Sequence, residues 1–362
     1  MNRRTLLTAA AVGLTACGGT ATSDAGPAVH TRKRRRWSLA SSFPRSLDTI
    51  FGAAEVFAER VAQMTDGRFE IRVYSAGELV PALEVLDNVG TGAVQLGQTG
   101  SYYYVGKNPA LAFDTCVPFG LTARQQNAWL LEAGGLDLVN ARLADFGVRA
   151  FPSGNTGVQM GGWFNRKVAT LDDLKGLKMR IPGLGGAVME RLGVAPQTIA
   201  GGEIYTALER GAVDATDWVG PYDDLKLGFH QVVKHYHYPG WWEPGPNLSI
   251  YVNQGRYDGL TADEKAILAV AAHEAGLAMQ TRYDQKNPAA LAEIAAAGVE
   301  IAPFSDELLE EARKQSQAML EEQAAADPAY REIYDHWLAF KNASDRWFGV
   351  AELAYAKVAF GR

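Results

Sequence analysis

The chain has 362 residues, of which 47% are hydrophobic, 10% aromatic and 21% charged. This composition excludes a disordered or low-complexity protein, and the length favours two lobes or one large domain around a substantial core. Lys and Arg number 35 against 41 Asp and Glu, and the formal net charge of −6 argues against a nucleic-acid-binding protein held by phosphate contacts.

The amino terminus is typical of an export signal. Arg3 and Arg4 precede an apolar stretch from Leu6 to Ala16, which is much shorter than the ~20 apolar residues of a membrane-spanning helix. We therefore predict a signal peptide over residues 1–16. The paired arginines also resemble, loosely, a twin-arginine signal, and the sequence leaves Sec and Tat export open.

The end of this signal predicts a lipid anchor. Leu14–Cys17 resembles the lipobox of bacterial lipoproteins, in which Cys17 becomes the lipid-bearing first residue of the mature chain. The alternative is an ordinary Cys17 upstream of a conventional cleavage site. If Cys17 is lipidated, Cys116 is the only other cysteine in the sequence, and no intramolecular disulfide can form.

Residues 17–36 are typical of a flexible tether, and they end in the basic run Arg32–Arg36. Behind an export signal, this run predicts a solvated cluster, or one attracted to a membrane surface, rather than a nucleic-acid site. We expect the folded body of the protein to begin at Trp37.

The first region of the body alternates between strands and helices. Its predicted elements are a strand Trp37–Ser41, a helix Leu47–Met64, a strand Phe69–Tyr74, a helix Pro81–Val89, a strand Ala93–Gln98 and a helical stretch Thr122–Phe146. This alternation predicts an α/β lobe with a largely parallel sheet, made mainly by residues 37–150.

A second α/β lobe is predicted mainly over residues 151–255, entered through strands at Val148–Ser153 and Gly161–Asn165. Its further elements are a helix Leu171–Lys175, a strand Lys178–Ile181, a helix Gly186–Leu192, a strand Pro196–Ile199, a helix Gly202–Arg210 and a strand Ala215–Val219. Residues 256–362 are predicted to be bracing helices, at Ala262–Ala296, Asp306–Ala325 and Pro328–Phe360. Two braced lobes would leave a cleft between them in which a small molecule can bind.

Motifs of several enzyme classes are absent from the sequence, among them Gly-x-Ser-x-Gly, the Walker loop, His-Glu-x-x-His and Cys-x-x-Cys. Gly183–Gly186 lacks the third glycine of a dinucleotide fingerprint and predicts a tight turn into a helix. His230, His235 and His237 lie within eight residues, but solvated or hydrogen-bonding histidines are favoured over a metal cluster.

A further set of polar residues is suited to a small acid and a cation. Arg180 lies inside an apolar strand and needs an anion, which is either a ligand carboxylate held by two hydrogen bonds or an internal acidic residue. Asn155 and Gln159 supply amide groups in a turn of small residues. Asp217 and Glu243 each lie beside bulky aromatics, and with a Gln carbonyl they would form an all-oxygen set suited to Na⁺ or Ca²⁺.

Two segments, Lys175–Gly183 and Ile204–Asp217, resemble the solute-binding proteins of tripartite ATP-independent periplasmic (TRAP) transporters, and the resemblance extends from Trp37 to the carboxyl terminus. Three further segments are similar to the branch that binds α-keto acids and lactate with a metal ion: Ser153–Gln159, Asp217–Asp224 and Gly240–Gly245. The resemblance implies a two-lobed, periplasmic-binding-protein-like α/β fold with a ligand cleft between the lobes and long C-terminal helices.

The resemblance also implies roles for individual residues. Arg180 would pair with the substrate carboxylate, Asn155 would assist from the opposite side of the cleft, and Gln159 would touch both ligand and metal. The implied ligands of the Na⁺ or Ca²⁺ ion are Gln159, the side chain of Asp217, the main-chain carbonyl of Trp218 and the side chain of Glu243.

The first lobe is expected to contribute a tyrosine from Ser101–Tyr104 to the ligand site. We select Tyr103, because the alternation of side chains along a strand would put Tyr102 and Tyr104 together on the other face.

The implied function is that of a receptor, not an enzyme. It would bind a 2-oxo or 2-hydroxy monocarboxylate such as pyruvate or lactate in the periplasm, together with the cation, and deliver it to the membrane permease. The alternatives are an exported metal-dependent enzyme, whose ion Asp217 and Glu243 would hold, and a ligand-sensing subunit of a signalling system. Relatives in this branch dimerise by exchanging a C-terminal helix, and the apolar surface of residues 330–360 fits that homodimer or packing on its own chain.

Overall fold

The computed structural model describes residues 34–361. The predicted signal peptide, Cys17 and the tether up to Lys33 lie outside the described residues. The strand predicted from Trp37 begins earlier, at Arg35, which forms an ion pair with Glu264 at 2.6 Å. The end of the basic run therefore belongs to the folded body and not to the tether.

The strands of the described residues are β1 (Arg35–Ser41), β2 (Phe69–Tyr74), β3 (Leu96–Thr99), β4 (Val148–Asn155), β5 (Trp163–Phe164), β6 (Lys178–Arg180), β7 (Ala195–Gln197), β8 (Ala215–Thr216), β9 (His235–Tyr238), β10 (Asn247–Asn253) and β11 (Glu300–Pro303). The α-helices are α1 (Ile50–Met64), α2 (Val85–Gly90), α3 (Ala112–Thr115), α4 (Ala123–Leu131), α5 (Gly135–Leu143), α6 (Gly183–Arg191), α7 (Ile204–Glu209), α8 (Pro221–Leu227), α9 (Phe229–Val232), α10 (Gln254–Asp258), α11 (Ala262–Ala296), α12 (Asp306–Ala326), α13 (Pro328–Phe348) and α14 (Ala354–Ala359). Shorter 3₁₀ helices lie at Ser101–Tyr104, Pro109–Leu111, Ala144–Phe146, Leu171–Leu174 and Gly201–Glu203, and Gly349–Leu353 is a π-helix. None of the helices within residues 34–361 is long and apolar enough to cross a bilayer.

The first sheet has five strands in the order β2-β1-β3-β10-β4. β1 pairs in parallel with β2 and β3, whereas β10 runs antiparallel to β3 and β4. The sheet is therefore mixed, and the largely parallel sheet predicted from the sequence is wrong at this point. The sequence analysis missed β10, although its alternate residues Leu248, Ile250 and Val252 are apolar and buried.

The second sheet has six strands in the order β11-β9-β5-β8-β6-β7. β6 pairs in parallel with β7 and β8, and β5 runs antiparallel to β8 and β9. The predicted lobe limits at residues 150 and 255 differ from this topology, because β4 and β10 both pair within the first sheet. The chain thus enters the second sheet after Asn155 and first leaves it before Asn247.

Helix α11 connects elements of both sheets. It packs against α1 and β4 of the first lobe and against α8, which follows β8 of the second. Thr261 and Glu264 form a capping box at its start, which satisfies backbone N–H groups that the first helical turn leaves free. The predicted helix Ala262–Ala296 is confirmed, and α11 is the bracing element that the sequence indicates.

The C-terminal helices pack on their own chain for part of their length. Tyr330, Tyr334 and Trp337 of α13 are buried, and α13 packs against α12 and α5. The π-helix after Phe348 interrupts the predicted continuous helix, and the large apolar side chains beyond it are exposed, with Val358 at 83%. Packing on its own chain thus holds for this segment up to Trp337, and the homodimer stays a prediction.

Candidate functional site

Arg180 lies at the end of β6 with only 1% of its surface exposed. Its Nε donates a hydrogen bond to the Ile199 carbonyl at 3.0 Å, and its Nη1 donates to Asp217 Oδ1 at 2.8 Å and to the Asp217 carbonyl at 3.2 Å. The guanidinium lies 5.1 Å from the centre of the Trp218 ring. Within the described residues Nη2 has no hydrogen-bond partner, so this is the atom left for a ligand.

Two anions were predicted for Arg180, an internal acidic residue and a ligand carboxylate, and its surroundings have room for both. The internal ion pair with Asp217 exists, and it follows from the topology, because β6 and β8 are adjacent parallel strands and Asp217 directly follows β8. Burial raises the pKa of Asp217, while the positive charge of Arg180 opposes that rise. The pair with Asp217 occupies Nη1 and the Ile199 carbonyl occupies Nε, so the Nη2 edge of the guanidinium is left open.

Three of the buried oxygen atoms that lack a hydrogen-bond partner among residues 34–361 belong to predicted site residues: Gln159 Oε1, Asp217 Oδ2 and Glu243 Oε2. The Gln159 amide nitrogen donates to Thr156 Oγ1 at 3.2 Å, which leaves its oxygen as the free group. Burial, and then the negative charge of Asp217, raise the pKa of Glu243 well above its usual range. The same carboxyl also interacts with Gln159, so the three side chains form one cluster.

This cluster fits a hard cation. Carboxylate and amide oxygens are the ligands that Na⁺ and Ca²⁺ accept, and a cation between Asp217 and Glu243 would relieve the repulsion of two buried carboxylates. No group of three or more His, Cys, Asp or Glu residues in the described part of the chain could hold a metal ion. A bound ion would thus depend on the Gln159 oxygen, on carbonyl oxygens and on the ligand.

Backbone hydrogen bonds join the three loops that carry these side chains. The amide of Gln159 donates to the Glu243 carbonyl at 3.2 Å, and the amide of Gly240 donates back to the Gln159 carbonyl at 2.8 Å. Met160 N donates to the Val219 carbonyl at 3.2 Å. A Cβ at Gly240 would lie 2.5 Å from the Met160 oxygen, so this close approach requires glycine.

Asn155 and Trp218 are both buried. Asn155 Nδ2 donates to the Gly245 carbonyl at 2.9 Å, and its Oδ1 accepts from Gly157 N at 2.9 Å. Its amide thus holds the loop of Glu243 in this structure, and its contact with a substrate carboxylate stays a prediction. The Trp218 side chain covers Arg180, and the role of its carbonyl as a metal ligand likewise stays a prediction.

The tyrosine segment has a different conformation from the one used to select Tyr103. Ser101–Tyr104 is a 3₁₀ helix and not a strand, so the argument that put Tyr102 and Tyr104 on one face is wrong. The Tyr104 hydroxyl bonds to Thr99 Oγ1 at 3.0 Å, inside the first lobe. Burial raises the pKa of both Tyr102 and Tyr103, and the charges of Arg180, Asp217 and Glu243 also act on both. Electrostatics thus couples both hydroxyls to the charged cluster.

Sequence reasoning missed Phe43 at this site, and it selected Tyr103 in preference to Tyr102. Phe43 lies after β1 and makes an edge contact with Trp218, with ring centres 6.4 Å apart. Tyr102 approaches the first residue of α6, Gly183, which has a φ of +66°. The turn predicted over Gly183–Gly186 is wrong, because α6 begins at Gly183 itself, but the glycine at this position is the signal for the close approach of the first lobe.

The three clustered histidines make separate contacts. His237 stacks on Phe304 with ring centres 4.9 Å apart, and burial lowers its pKa to about 4. His235 pairs with Glu300 at 3.1 Å, and His230 belongs to α9. These contacts agree with the preference for hydrogen-bonding histidines over a metal cluster.

Comparisons with known proteins agree with this fold. The profile of the bacterial extracellular solute-binding proteins, family 7, matches residues 40–327. A monocarboxylate 2-oxoacid-binding periplasmic protein of Nostoc sp. is 49% identical over 364 residues, covering 99% of each chain. A TRAP transporter solute-binding protein of Bordetella bronchiseptica, a dimer with copurified calcium and picolinate, has a TM-score of 0.90 at 41% identity over 91% of this chain and 98% of that one. A TRAP periplasmic solute-binding protein of Pseudoalteromonas atlantica with bound sodium and pyruvate has a TM-score of 0.86 at 40% identity over 89% and 98%.

Proposed function

This chain belongs to the bacterial extracellular solute-binding proteins of family 7, and we propose that it is a TRAP-transporter receptor for a small 2-oxo monocarboxylate bound together with Na⁺ or Ca²⁺. The family consists of periplasmic solute receptors, not enzymes. One observation carries the proposal: an open guanidinium edge and three donorless oxygens are buried in a single cluster. A carboxylate and a cation satisfy both halves of that cluster at once.

The chain's own groups divide the work of capture. Arg180 Nη2 donates to the ligand carboxylate, and Asp217 keeps the guanidinium oriented through Nη1. Gln159, Asp217 and Glu243 present oxygens to the cation, which would also accept the carboxylate and 2-oxo oxygens of the ligand. Trp218, Tyr102 and Tyr103 exclude water around these groups.

The charge of the site supports a ligand with a single carboxylate. Arg180 is the only buried Lys or Arg among residues 34–361. A second carboxylate inside the site would lack a cationic partner, and an unpaired buried charge is costly. We therefore infer that pyruvate, lactate and longer 2-oxo monocarboxylates are the candidate ligands, and that dicarboxylates bind weakly.

The two sheets are proposed to act as two lobes that close over the ligand. Tyr102, Tyr103 and Phe43 come from the first lobe, and Arg180, Asp217 and Trp218 come from the second. Contacts from both sides make the closed arrangement the one that a ligand favours. The closed receptor would then deliver its ligand to the membrane permease subunits.

Calorimetric titration of the mature protein tests this function. Protein stripped of ligand by partial unfolding and refolding is titrated with pyruvate, lactate and longer 2-oxo acids, each with and without Na⁺ or Ca²⁺. We expect tight, cation-dependent binding without product formation, and loss of binding in Arg180→Ala and Arg180→Lys, because lysine cannot keep both the Asp217 pair and the ligand. Wild-type protein that binds none of these acids would refute the proposed ligand class.

We also propose that the protein is a homodimer through its C-terminal helices. Trp347, Tyr355, Val358 and Phe360 are exposed beyond the part of α13 that packs on its own chain, and the relative from Bordetella bronchiseptica is a dimer. Light scattering of wild type and Val358→Glu, with Lys357→Glu as the charge control on the same helix, tests this assembly. A monomeric wild type refutes it.

Anchoring through Cys17 is a further proposal, supported by the lipobox alone. Membrane fractionation of cells that express wild type or Cys17→Ser tests it. We expect the wild type in the membrane fraction and the variant in the soluble periplasm, and equal release of both would contradict the anchor.

A further inference from the structure

Asp114 is a buried acid that the proposed binding chemistry does not use. It lies on α3, it is fully buried, and its hydrogen-bond partners among residues 34–361 are all neutral: Ser101, Ser249 and Asn247. A buried carboxylate without a cationic partner is costly, and burial raises the pKa of Asp114 to about 6. Such a group needs an explanation in the fold or in binding.

The partners of Asp114 come from two segments that border the ligand site. Ser101 begins the 3₁₀ helix that carries Tyr102 and Tyr103, and its hydroxyl donates to the Asp114 carboxylate. Asn247 begins β10 directly after the loop of Glu243, and its Nδ2 donates to Asp114 Oδ1 at 3.2 Å. One carboxylate therefore ties the tyrosine helix to the strand that leaves the glutamate loop.

The bonds around Ser101 have a fixed direction. Since the single Ser101 proton goes to Asp114, the hydroxyl of Tyr251 donates to Ser101. Ser249 Oγ lies 2.9 Å from Asp114 Oδ2 and also donates to the carboxylate. Asp114 thus accepts hydrogen bonds from Ser101, Ser249 and Asn247. A carboxylate can accept all three, whereas an asparagine would turn its NH₂ group toward at least one of these donors.

We propose that Asp114 is a positioning residue for ligand capture, which holds the tyrosine helix against the Arg180 side of the site through Ser101. This inference rests on the proposed function, since Tyr102 of this helix packs against Gly183, three residues after Arg180. The residue next to Asp114 adds a second bond to the same helix, from Tyr102 N to Thr115 Oγ1 at 3.3 Å.

Ligand affinity of three matched variants tests this role. Asp114→Ala and Ser101→Ala both remove the bond to the tyrosine helix, whereas Ser249→Ala removes a bond from the same carboxylate to β10. We expect the first two to weaken pyruvate binding in the presence of the cation by about tenfold, and Ser249→Ala by less than about twofold. Asn140→Ala, which loses a buried amide bonded to Ala150, controls for a general loss of stability.

A double-mutant cycle separates positioning from simple support of the core. If Asp114 acts through Tyr103, the effect of Ser101→Ala on the Kd shrinks by at least about threefold in a Tyr103→Phe background. Additive effects in this cycle, or a Ser101→Ala protein that binds pyruvate like the wild type, would overturn the inference.

A readout without ligand distinguishes this failure from failure of the proposed function. Nitration of Tyr102 and Tyr103 by tetranitromethane, mapped by mass spectrometry, should accelerate in Asp114→Ala and Ser101→Ala and not in Ser249→Ala. Unchanged nitration in both of the first two overturns the positioning role. Accelerated nitration in a protein whose wild type binds no 2-oxo acid would refute the ligand class and leave the hold of Asp114 on the tyrosine helix standing.

Discussion

At the scale of single residues, the site is defined by which polar atoms are left without partners. Buried polar groups are nearly always hydrogen-bonded, and an unpaired one costs about 1–3 kcal/mol, so four together indicate a missing ligand. The sequence, through its family resemblance, pointed to Arg180, Gln159, Asp217 and Glu243. It could not tell which atoms stay open, because that depends on the contact between β6 and β8, which are far apart in the chain.

Glu243→Gln tests the oxygen cluster at this scale. The change keeps the shape of the side chain and removes its negative charge, so we expect the affinity for Na⁺ or Ca²⁺ to fall by about tenfold or more. Pyruvate binding should weaken in parallel, because ligand and cation share one cluster. The measurement is calorimetric titration over a series of cation concentrations.

The control for this change is Glu300→Gln, which removes an exposed acid that pairs with Lys167 on the second sheet. It should leave both affinities unchanged. A Glu243→Gln protein with the cation dependence of the wild type would contradict the assignment of Glu243 to the cluster.

A second residue-scale prediction concerns pH and stability. Burial lowers the pKa of His237 to about 4, while an unfolded histidine titrates near about 6.5. The unfolded chain thus binds more protons between these values, so the contribution of His237 to stability is complete above about pH 6.5 and is lost as the pH falls toward about 4. His237→Phe should keep the packing on Phe304 and lose this dependence.

Urea unfolding at about pH 7 and about pH 5 measures the pH dependence of stability that His237 contributes. We expect the loss of unfolding free energy between the two pH values to be smaller in His237→Phe than in the wild type. His273→Gln, on the exposed side of α11, should lose as much as the wild type. Equal losses in all three proteins would contradict the prediction.

At the scale of elements, local pattern predicts what local forces determine. The dominance of helix-forming residues located α11 from Ala262 to Ala296, and the structure adds the capping box of Thr261 and Glu264 at its start. Pattern failed for β10, whose place between β3 and β4 is set by pairing with distant strands, and for Ser101–Tyr104, which reads as a strand but folds as a 3₁₀ helix.

Gly183→Ala tests the contact between α6 and Tyr102 of the first lobe. Its φ of +66° is unfavourable for alanine, and the added Cβ would lie 3.0 Å from Tyr102 Cβ. Gly176 is a matched control with a φ of +74° and no other atom within 4 Å of an added Cβ. Both alanine variants should lose about 1–2 kcal/mol of unfolding free energy.

Only Gly183→Ala should also weaken pyruvate binding, because it alone pushes against the tyrosine helix. Thermal unfolding and calorimetric titration of the two variants measure both effects. Equal Kd values in Gly183→Ala and Gly176→Ala would contradict the contact between α6 and the ligand site.

At the scale of the whole molecule, one ion cluster crosses from the first lobe to the second. Asp48, in the loop between β1 and α1, pairs with Lys226 of α8 and with Lys286 of α11 at 2.8 Å, and accepts from the Tyr222 hydroxyl at 3.0 Å. Burial alone would raise the pKa of Asp48. The hydrogen bonds and charges of these three partners outweigh burial and hold this pKa well below its usual range. The cluster is partly exposed, so salt should weaken it.

Asp48→Asn should therefore act on closure without touching the ligand. If the cluster favours the arrangement in which both lobes contact the ligand, the variant binds pyruvate about threefold more weakly at low ionic strength. Its Kd should also rise less than that of the wild type when choline chloride is added, since choline avoids competition at a Na⁺ site.

The matched control is Glu55→Gln on α1, an exposed acid that pairs with Arg45 within the first lobe. It should keep both the wild-type Kd and the wild-type salt dependence, because its ion pair does not join the lobes. Parallel salt dependences for Asp48→Asn and the wild type would mean that the screening acts only on the attraction between Arg180 and the ligand carboxylate, and that closure does not use this cluster.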